Sequence, residues 1–213
     1  ASPYTLGISS SAGFGAALAI ILGKGFIGGE YLVIGNAFIF ALICSLIILS
    51  LASYKGATPE TMILAGIAMV YLFSACTILL EYFADPEAVK AVVFWMVGSL
   101  GKCTWSKIYA TSFVLSFSIP LLIWKSWDMN VIGTGDETAK SLGVNVERTR
   151  LFLMIIASLI TASIVCFVGT IGFIGLVAPH IARIVIGGDN RFLLPASALI
   201  GGLLLSVADV VAM

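Results

Sequence analysis

The chain has 213 residues, of which 60% are hydrophobic and only 10% are charged. Its mean hydropathy is +1.13, whereas soluble globular proteins contain about 45–50% apolar and 25% charged residues. Eleven Lys and Arg residues balance eleven Asp and Glu residues, so no excess of basic charge is left for a nucleic-acid backbone. The composition excludes a soluble enzyme domain, a disordered protein and a nucleic-acid binder. It indicates an all-α, polytopic membrane protein embedded in a lipid bilayer.

Seven uncharged stretches are the candidate membrane segments. They are Thr5–Gly23, Tyr31–Tyr54, Thr61–Leu80, Ala91–Gly101, Ile108–Trp124, Leu151–Ala182 and Phe192–Ala208. A helix needs about 20 residues to cross the hydrocarbon core of a bilayer. Allowing for flanking residues, five of the seven stretches fit one crossing each.

The other two stretches have the wrong length for one crossing. Ala91–Gly101 would rise only about 16 Å as a helix, which predicts a short re-entrant or outer-surface helix. Leu151–Ala182 is too long for one helix, and the glycines of Gly169–Gly175 predict a break within it. We expect a span ending near Thr170 and a shorter helix from about Phe173 to Gly187. The predicted fold is therefore a bundle of seven spans plus one short helix, forming a single transmembrane domain over residues 1–213.

Small residues four apart in the first and last stretches predict close helix packing. Such residues let helix backbones approach each other where lipid provides no hydrophobic driving force. The first stretch contains two such sets, Ser9/Gly13/Ala17 and Ser11/Gly15/Ala19. The last stretch contains one, Ala198/Gly202/Ser206.

The longest polar segment, Lys125–Arg150, is rich in basic residues, and we place it in the cytoplasm. With this orientation, seven of the eleven Lys and Arg residues lie inside and four lie outside. If Ala91–Gly101 did cross, the tally would be eight to three, so the charge rule alone slightly favours a crossing. We give greater weight to the length, because 11 residues are too few to cross.

Within this polar segment, residues 128–150 have the pattern of two helices joined by a glycine turn. Asp136 and Glu137 suit a helix N-terminus, with Thr134 or Gly135 near the cap. Gly143 suits the position after a helix C-terminus, and Asn145 can cap the next helix. Such an element can transmit a push from a soluble partner into the bundle. From the residues alone, an ordinary solvated loop is the alternative.

Several kinds of chemical site are missing from the sequence. His180 is the only histidine, which excludes a multi-histidine metal site. Cys44, Cys76, Cys103 and Cys166 are widely spaced, so we expect small buried apolar side chains and no metal site. The sequence has no P-loop and no Gly-x-Ser-x-Gly nucleophile motif. We therefore expect no catalytic residue and no cofactor.

The polar segment Gly135–Arg150 resembles the cytoplasmic coupling loop in permease subunits of FecCD-type ABC importers, which take up iron chelates, haem or vitamin B12. Four further segments are similar to motifs of that family, in the same order along the chain. They are Ala1–Ser10, Trp95–Leu100, Gly172–Arg183, and Leu194-Pro195 followed by Ala208-Asp209. The resemblance implies a permease of about ten helices, of which this chain is a fragment that lacks helices at both ends.

The resemblance also implies a function and partners. The chain would be the transmembrane subunit of an importer that moves a metal chelate, with iron-siderophore the expected substrate and vitamin B12 or haem the alternatives. It would work by alternating access in the plasma (inner) membrane of a prokaryote and would not be an enzyme. The implied partners are a second permease subunit in a homodimer or pseudodimer, two cytoplasmic ATPase subunits that hydrolyse ATP, and an extracytoplasmic substrate-binding protein.

Site residues carry over by motif. The resemblance assigns ATPase coupling to Gly135, Asp136, Glu137, Ala139, Leu142 and Gly143. It assigns the cytoplasmic gate and pathway to Pro3, Leu6, Thr58, Pro59 and Glu60, and the outer mouth to Trp95, Gly98 and Ser99. Met213 stands where the family has an arginine suited to docking the binding protein, so we expect docking to use Lys90 or Lys102.

Three ionisable residues lie in or near the apolar segments, where such groups are functional candidates. Arg183 is expected to reach the cytoplasmic interface, and Asp209 is expected near an outer helix end. For His180, the alternative is a neutral imidazole bonded to a neighbouring helix. An ion-coupled secondary transporter is a rival function, but it would need carboxylates near the bilayer midplane. An intramembrane enzyme is a weaker rival, because no mid-span acid pairs with His180.

Overall fold

The structure is a computed structural model that describes residues 6–55 and 58–212, and all regular secondary structure in these residues is helical. Two short 3₁₀ turns, Gly29–Tyr31 and Leu100–Lys102, accompany ten α-helices. The helices are α1 Ile8–Leu22, α2 Leu32–Lys55, α3 Pro59–Tyr82, α4 Pro86–Val97, α5 Trp105–Trp124, α6 Ser126–Ile132, α7 Asp136–Ser141, α8 Val146–Val168, α9 Ile174–Ile186 and α10 Asn190–Ala212. The predicted all-α class is confirmed.

Within residues 6–55 and 58–212, five helices are long and apolar enough to cross a bilayer, namely α2, α3, α5, α8 and α10. The other two predicted spans correspond to α1 and α9, which have 15 and 13 residues and therefore rise only about 22 and 20 Å. The predicted short helix is α4, with 12 residues. The predicted break is also present, because α8 ends at Val168 and α9 begins at Ile174.

By their internal contacts, the described residues form two compact units. Unit 1 contains those of residues 1–115 and 154–171, and unit 2 contains those of 116–153 and 172–213.

Unit 1 is built around α1, which packs against α2, α3 and α4. Both sets of small residues predicted on α1 are buried. The contact with α2 is so close that a Cβ on Gly15 would lie 2.5 Å from the Asn36 carbonyl oxygen. Phe14, Phe40 and Phe73 pack together beside this contact, with ring centroids 5.1–6.4 Å apart. Small residues thus bring the backbones together and aromatic rings fill the adjacent space.

The buried amide of Asn36 holds the loop between α1 and α2. Its Oδ1 accepts a bond from the Phe26 backbone N–H at 2.9 Å, and its Nδ2 donates to the Lys24 carbonyl at 3.3 Å. A buried polar side chain must satisfy its hydrogen bonds inside the protein. Asn36 therefore fixes the loop geometry and does not provide a free polar site.

Unit 2 is built on the packing of α9 against α10. A Cβ on Gly201 would lie 3.5 Å from both Ala178 Cβ and Ile174 Cγ2. The set predicted to pack on α10 was Ala198, Gly202 and Ser206, and all three are exposed in the structure. That prediction is wrong within the described residues, because a neighbouring residue, Gly201, makes the close contact.

The cysteines only partly follow the expectation of burial. Cys44 and Cys166 are buried, Cys76 is intermediate, and Cys103 is exposed between a 3₁₀ turn and α5. All four are free thiols.

Candidate functional site

The polar segment folds as predicted into helices joined by a glycine turn. Gly135, with φ 119°, precedes α7, and Gly143, with φ 83°, follows it. The Val144 N–H bonds the Ala139 carbonyl and the Gly143 N–H bonds the Lys140 carbonyl, both at 3.0 Å. This pair of bonds is the Schellman arrangement, which needs a left-handed residue at position 143.

Asn145 caps α8, as predicted. Its side-chain Oδ1 accepts a bond from the Arg148 backbone N–H at 3.0 Å. The cap satisfies an N–H group that has no partner within the helix. Only four residues separate α7 from α8, so the two helices are closely tethered.

An ion pair that the sequence did not reveal ties α7 to α8. The guanidinium of Arg150 donates two hydrogen bonds to the two carboxylate oxygens of Asp136, each at 2.7 Å. These bonds hold the pKa of Asp136 below its ordinary value of 3.8, and the positive charge of Arg150 adds to the effect. The two residues are 14 positions apart, and opposite charges on the two sides of a predicted glycine turn were the only sequence signal.

The six residues assigned to coupling divide into an outer face and a support. Gly135, Glu137, Leu142 and Gly143 are exposed, and 66% of the Leu142 surface is accessible. Ala139 is fully buried, and Asp136 belongs to the ion pair. An exposed leucine and an exposed carboxylate on one short segment can contact a protein partner, whereas Ala139 and Asp136 maintain the shape of the segment.

A second tie, also missed from the sequence, joins α6 to the turn before α10. The Asn130 Nδ2 donates to Asp189 Oδ1 at 2.7 Å, and the Asn130 Oδ1 accepts bonds from the backbone N–H and Nδ2 of Asn190 at 2.8 Å. Arg191 also bonds the Asp189 carboxylate, with its shortest contact at 2.6 Å. Hydrogen bonds from Arg191 and Asn130 hold the pKa of Asp189 far below its usual range.

The residues assigned to the cytoplasmic gate lie in two places: Thr58–Glu60 at the start of α3, and Leu6 near the middle of the same helix. Thr58 caps α3, Pro59 is its first residue and Glu60 is exposed in its first turn. The buried Leu6 accepts a bond from Cys44 Sγ at 3.8 Å, and a Cβ on its neighbour Gly7 would meet Met69 Cβ at 2.9 Å. Met69 lies about 15 Å along α3 from Pro59. Pro3 lies outside the described residues.

The residues assigned to the outer mouth meet the break between α8 and α9. The Ser99 backbone N–H donates to the Val168 carbonyl at 2.8 Å, and the Thr170 hydroxyl donates to the Met96 carbonyl. The backbones are so close that a Cβ on Gly169 would lie 2.3 Å from the Trp95 carbonyl oxygen and 2.8 Å from Gly98 Cα. The end of α4 therefore supplies hydrogen bonds where α8 stops.

A largely apolar cavity of about 290 Å³ lies beside this junction in unit 1. Its lining includes Trp95 from α4, Lys107 from α5, Cys166 from α8, and residues of α1 and α2. Trp95 thus borders an open space, while Gly98 and Ser99 form the contact with the break.

The remaining candidates are separate from these sites. His180 and Arg183 are exposed on α9, and Asp209 is half-buried near the end of α10. Lys90 is exposed on α4. The side chain of Lys102, and Met213, lie outside the described residues.

The comparisons with known proteins agree with this architecture. The profile of the FecCD transport family matches residues 1–213. The chain belongs to the FecCD transport family. It is therefore a membrane protein of the ABC permease type, a family of transport subunits.

Individual relatives support the family assignment. A putative ABC transporter permease of Methanocaldococcus jannaschii is 51% identical over 98% of this chain and 62% of its own length. The cobalamin import system permease protein BtuC of Halobacterium salinarum is 39% identical over 100% of the chain and 57% of its own length. The hemin transport system permease protein HmuU of Yersinia pestis is 36% identical over 100% and 64%. The chain thus spans about three fifths of the length of these relatives.

A solved structure supports the fold. It is titled an inward-facing conformation of a putative metal-chelate type ABC transporter, and it matches with a TM-score of 0.89 at 28% identity. The match covers 98% of this chain and 66% of the solved one.

The glycine junction leads to a stability prediction for this FecCD-family chain. Gly169→Ala should lower the free energy of unfolding by roughly 2–5 kcal/mol, because a left-handed residue with a Cβ would also clash with the backbone of α4. Thermal unfolding of the detergent-purified protein measures the loss. Gly172→Ala is the control, because that site has open space and no positive φ. Equal stability of the two variants would contradict the described junction.

The ion pair leads to a second prediction. Asp136→Asn should increase hydrogen exchange of the α7 amides several-fold at pH 7, because it weakens the tie to α8. The wild-type pair contributes at every pH above the ordinary Asp pKa, and its contribution is lost as the pH falls through the lowered pKa of Asp136. Exchange mass spectrometry of residues 136–141 provides the test, with Glu137→Gln as the control. Unchanged exchange in Asp136→Asn would show that the tie does not hold α7.

Proposed function

We propose that this chain is the core of the permease subunit of an ATP-driven importer that carries a metal chelate into the cytoplasm. The observation that carries this proposal is the coupling segment, residues 128–150, which presents an exposed Glu137 and Leu142 and is bonded to Asp189 through Asn130 and to Arg150 of α8 through Asp136. A surface that receives a push must be rigid, because a flexible loop would absorb the displacement.

The proposed transport cycle uses separate ATPase subunits. Two of them dock on the coupling segments of two permease subunits, which form a homodimer or pseudodimer around the pathway. ATP hydrolysis changes the spacing of the docked surfaces, and the permease alternates between outward and inward access. The chain itself performs no chemistry.

The proposed topology places the coupling segment, residues 128–150, in the cytoplasm of a prokaryote and α4 at the outer surface of its plasma membrane. Residues 1–213 would form one transmembrane domain, in which α1 and α9 cross with the five longer helices. Irregular backbone is tolerated at membrane depth only where protein or water surrounds it. The contact of α4 with the break after α8 supplies such surroundings and supports this arrangement.

The proposed substrate class rests on the named relatives and on the lining of the cavity beside Trp95. Relatives are named for cobalamin, hemin and Fe³⁺-citrate import. The cavity beside Trp95 is lined mainly by apolar side chains and has one cationic side chain, Lys107, in its lining. We propose an iron-siderophore as the substrate, with vitamin B12 and haem as the alternatives within the same class. Lys90 on α4, together with Lys102, would dock an acidic surface of the extracytoplasmic binding protein.

At the cytoplasmic side, Thr58–Glu60 would form part of the gate at the start of α3, and Leu6 would lie deeper along the pathway. The exposed positions of His180 and Arg183 on α9 are compatible with roles in packing or at the interface. Asp209 near the end of α10 suits the outer interface.

Gly143 provides a test of coupling. Gly143→Val should lower ATP-driven uptake at least tenfold, because a β-branched residue is strained at φ 83° and would reshape the turn between α7 and α8. Gly143→Asn is the matched control, because asparagine tolerates the left-handed conformation. Uptake by the assembled transporter in proteoliposomes, together with ATP hydrolysis, gives the result. Normal uptake by a properly assembled Gly143→Val transporter would refute the coupling role.

The topology can be tested with thiol labelling on intact cells. Cys103 should react with an impermeant maleimide, because it is exposed and lies next to α4 at the proposed outer surface. The double variant Ser141→Cys/Cys103→Ser should react with the same maleimide only after the cells are permeabilised. Labelling of Ser141→Cys on intact cells would reverse the proposed orientation and remove the basis for ATPase docking.

A further inference from the structure

The side chain of Asn130 is the centre of the contact between α6 and the start of α10. Its amide donates to Asp189 and accepts two bonds from Asn190, all at 2.7–2.8 Å. One planar group therefore makes three short bonds to two consecutive residues. Such a set defines both the distance and the orientation of the two backbones.

The residues that Asn130 holds are also the ones that start α10. The Asp189 carboxylate caps α10 by accepting a bond from the Arg191 backbone N–H at 3.0 Å. The backbone carbonyl of Asp189 accepts bonds from the Phe192 and Leu193 N–H groups. Asn190 is the first residue of α10. A displacement of Asn130 is thus applied directly to the end of a 23-residue helix.

A second contact from α6 supports the same turn. The Arg191 guanidinium lies 5.2 Å from the centre of the Trp127 ring while it bonds the Asp189 carboxylate. Trp127 and Asn130 both belong to α6. Trp127 and Asn130, three residues apart on α6, therefore both contact residues 189–191.

We propose that Asn130 is a positioning residue that carries displacement of the coupling segment to α10 through Asp189 and Asn190. This inference rests on the proposed function, because it names the route by which movement imposed at α6 and α7 reaches a membrane-spanning helix. The ion pair of Asp136 with Arg150 serves α8 in the same way, so the segment has one polar tie to each of two long helices.

The test exchanges the two groups that bond each other. Asn130→Asp places a carboxylate against that of Asp189 and removes the hydrogen bond between them. We expect the amount of substrate taken up per ATP hydrolysed to fall about tenfold, which is the effect expected for losing a hydrogen bond to a charged group. The double variant Asn130→Asp/Asp189→Asn restores a donor–acceptor pair and keeps the total charge. It should recover most of the wild-type ratio. A residue with only a folding role would change the protein yield and not this ratio.

The measurement uses the complete transporter in proteoliposomes, with uptake and ATP hydrolysis recorded on the same vesicles. Lys125→Gln is the control, because it removes the 2.7 Å ion pair with Asp128, which is local to α6 and does not reach α10. If Asn130→Asp does not assemble, Asn130→Ala removes the same bonds without adding a charge and is judged by the same ratio.

The outcomes separate this inference from the proposed function. An Asn130 variant with the wild-type ratio, in a transporter whose wild-type uptake depends on ATP, overturns the role of Asn130 and leaves the proposed function intact. Asp189→Asn alone loses the ion pair with Arg191 but leaves an amide that can still bond Asn130. Failure of the double variant to reach the ratio of this single variant, although it assembles, also overturns that role. Wild-type uptake without any dependence on ATP overturns the proposed function and this inference together.

Discussion

Hydrogen bonding of the backbone is the constraint on which this structure depends. In lipid, an unpaired N–H or C=O group costs several kcal/mol, so the chain is helical wherever it is strongly apolar. The break between α8 and α9 tests this constraint, because the helical pattern stops there. At the end of α4, the Ser99 N–H supplies a partner for the Val168 carbonyl, and the Thr170 hydroxyl in turn bonds the Met96 carbonyl. This exchange requires glycines at positions 98 and 169 for the backbones to approach. A helix of only 12 residues thus allows a longer one to end.

In unit 2, polar side chains near helix ends join one element to another. The ion pairs and the amide cluster of unit 2 involve α6, α7, the first turn of α8 and the first turn of α10. Such groups are expensive within a bilayer but stable at its edge, where water still solvates their outer atoms. They hold the N-terminal ends of two long helices, α8 and α10, to one short segment. This arrangement gives the proposed coupling function a physical basis, because the segment cannot move without moving those ends.

Much of the fold could be predicted because its causes are local. Apolar length indicated the long helices, and the short Ala91–Gly101 stretch led to α4. The glycine run predicted the break, and Gly143 and Asn145 predicted the turn and the cap. The site was less predictable. The bond between Asn130 and Asp189 joins residues 59 positions apart, and no local pattern pairs them. The small-residue pattern on α10 predicted the wrong face, because such spacings occur on several faces and only the neighbouring helix selects one.

The sequence by itself determined that the chain is an all-helical membrane protein with a polar helix–turn–helix segment, because hydropathy and capping act over a few residues. It also carried the motifs of the FecCD family. Only the tertiary structure decided which side chains meet: Arg150 with Asp136, Asn130 with Asp189, and the end of α4 with the break after α8. These contacts depend on how helices pack in three dimensions, and packing is set by shape complementarity between residues that are distant in the chain.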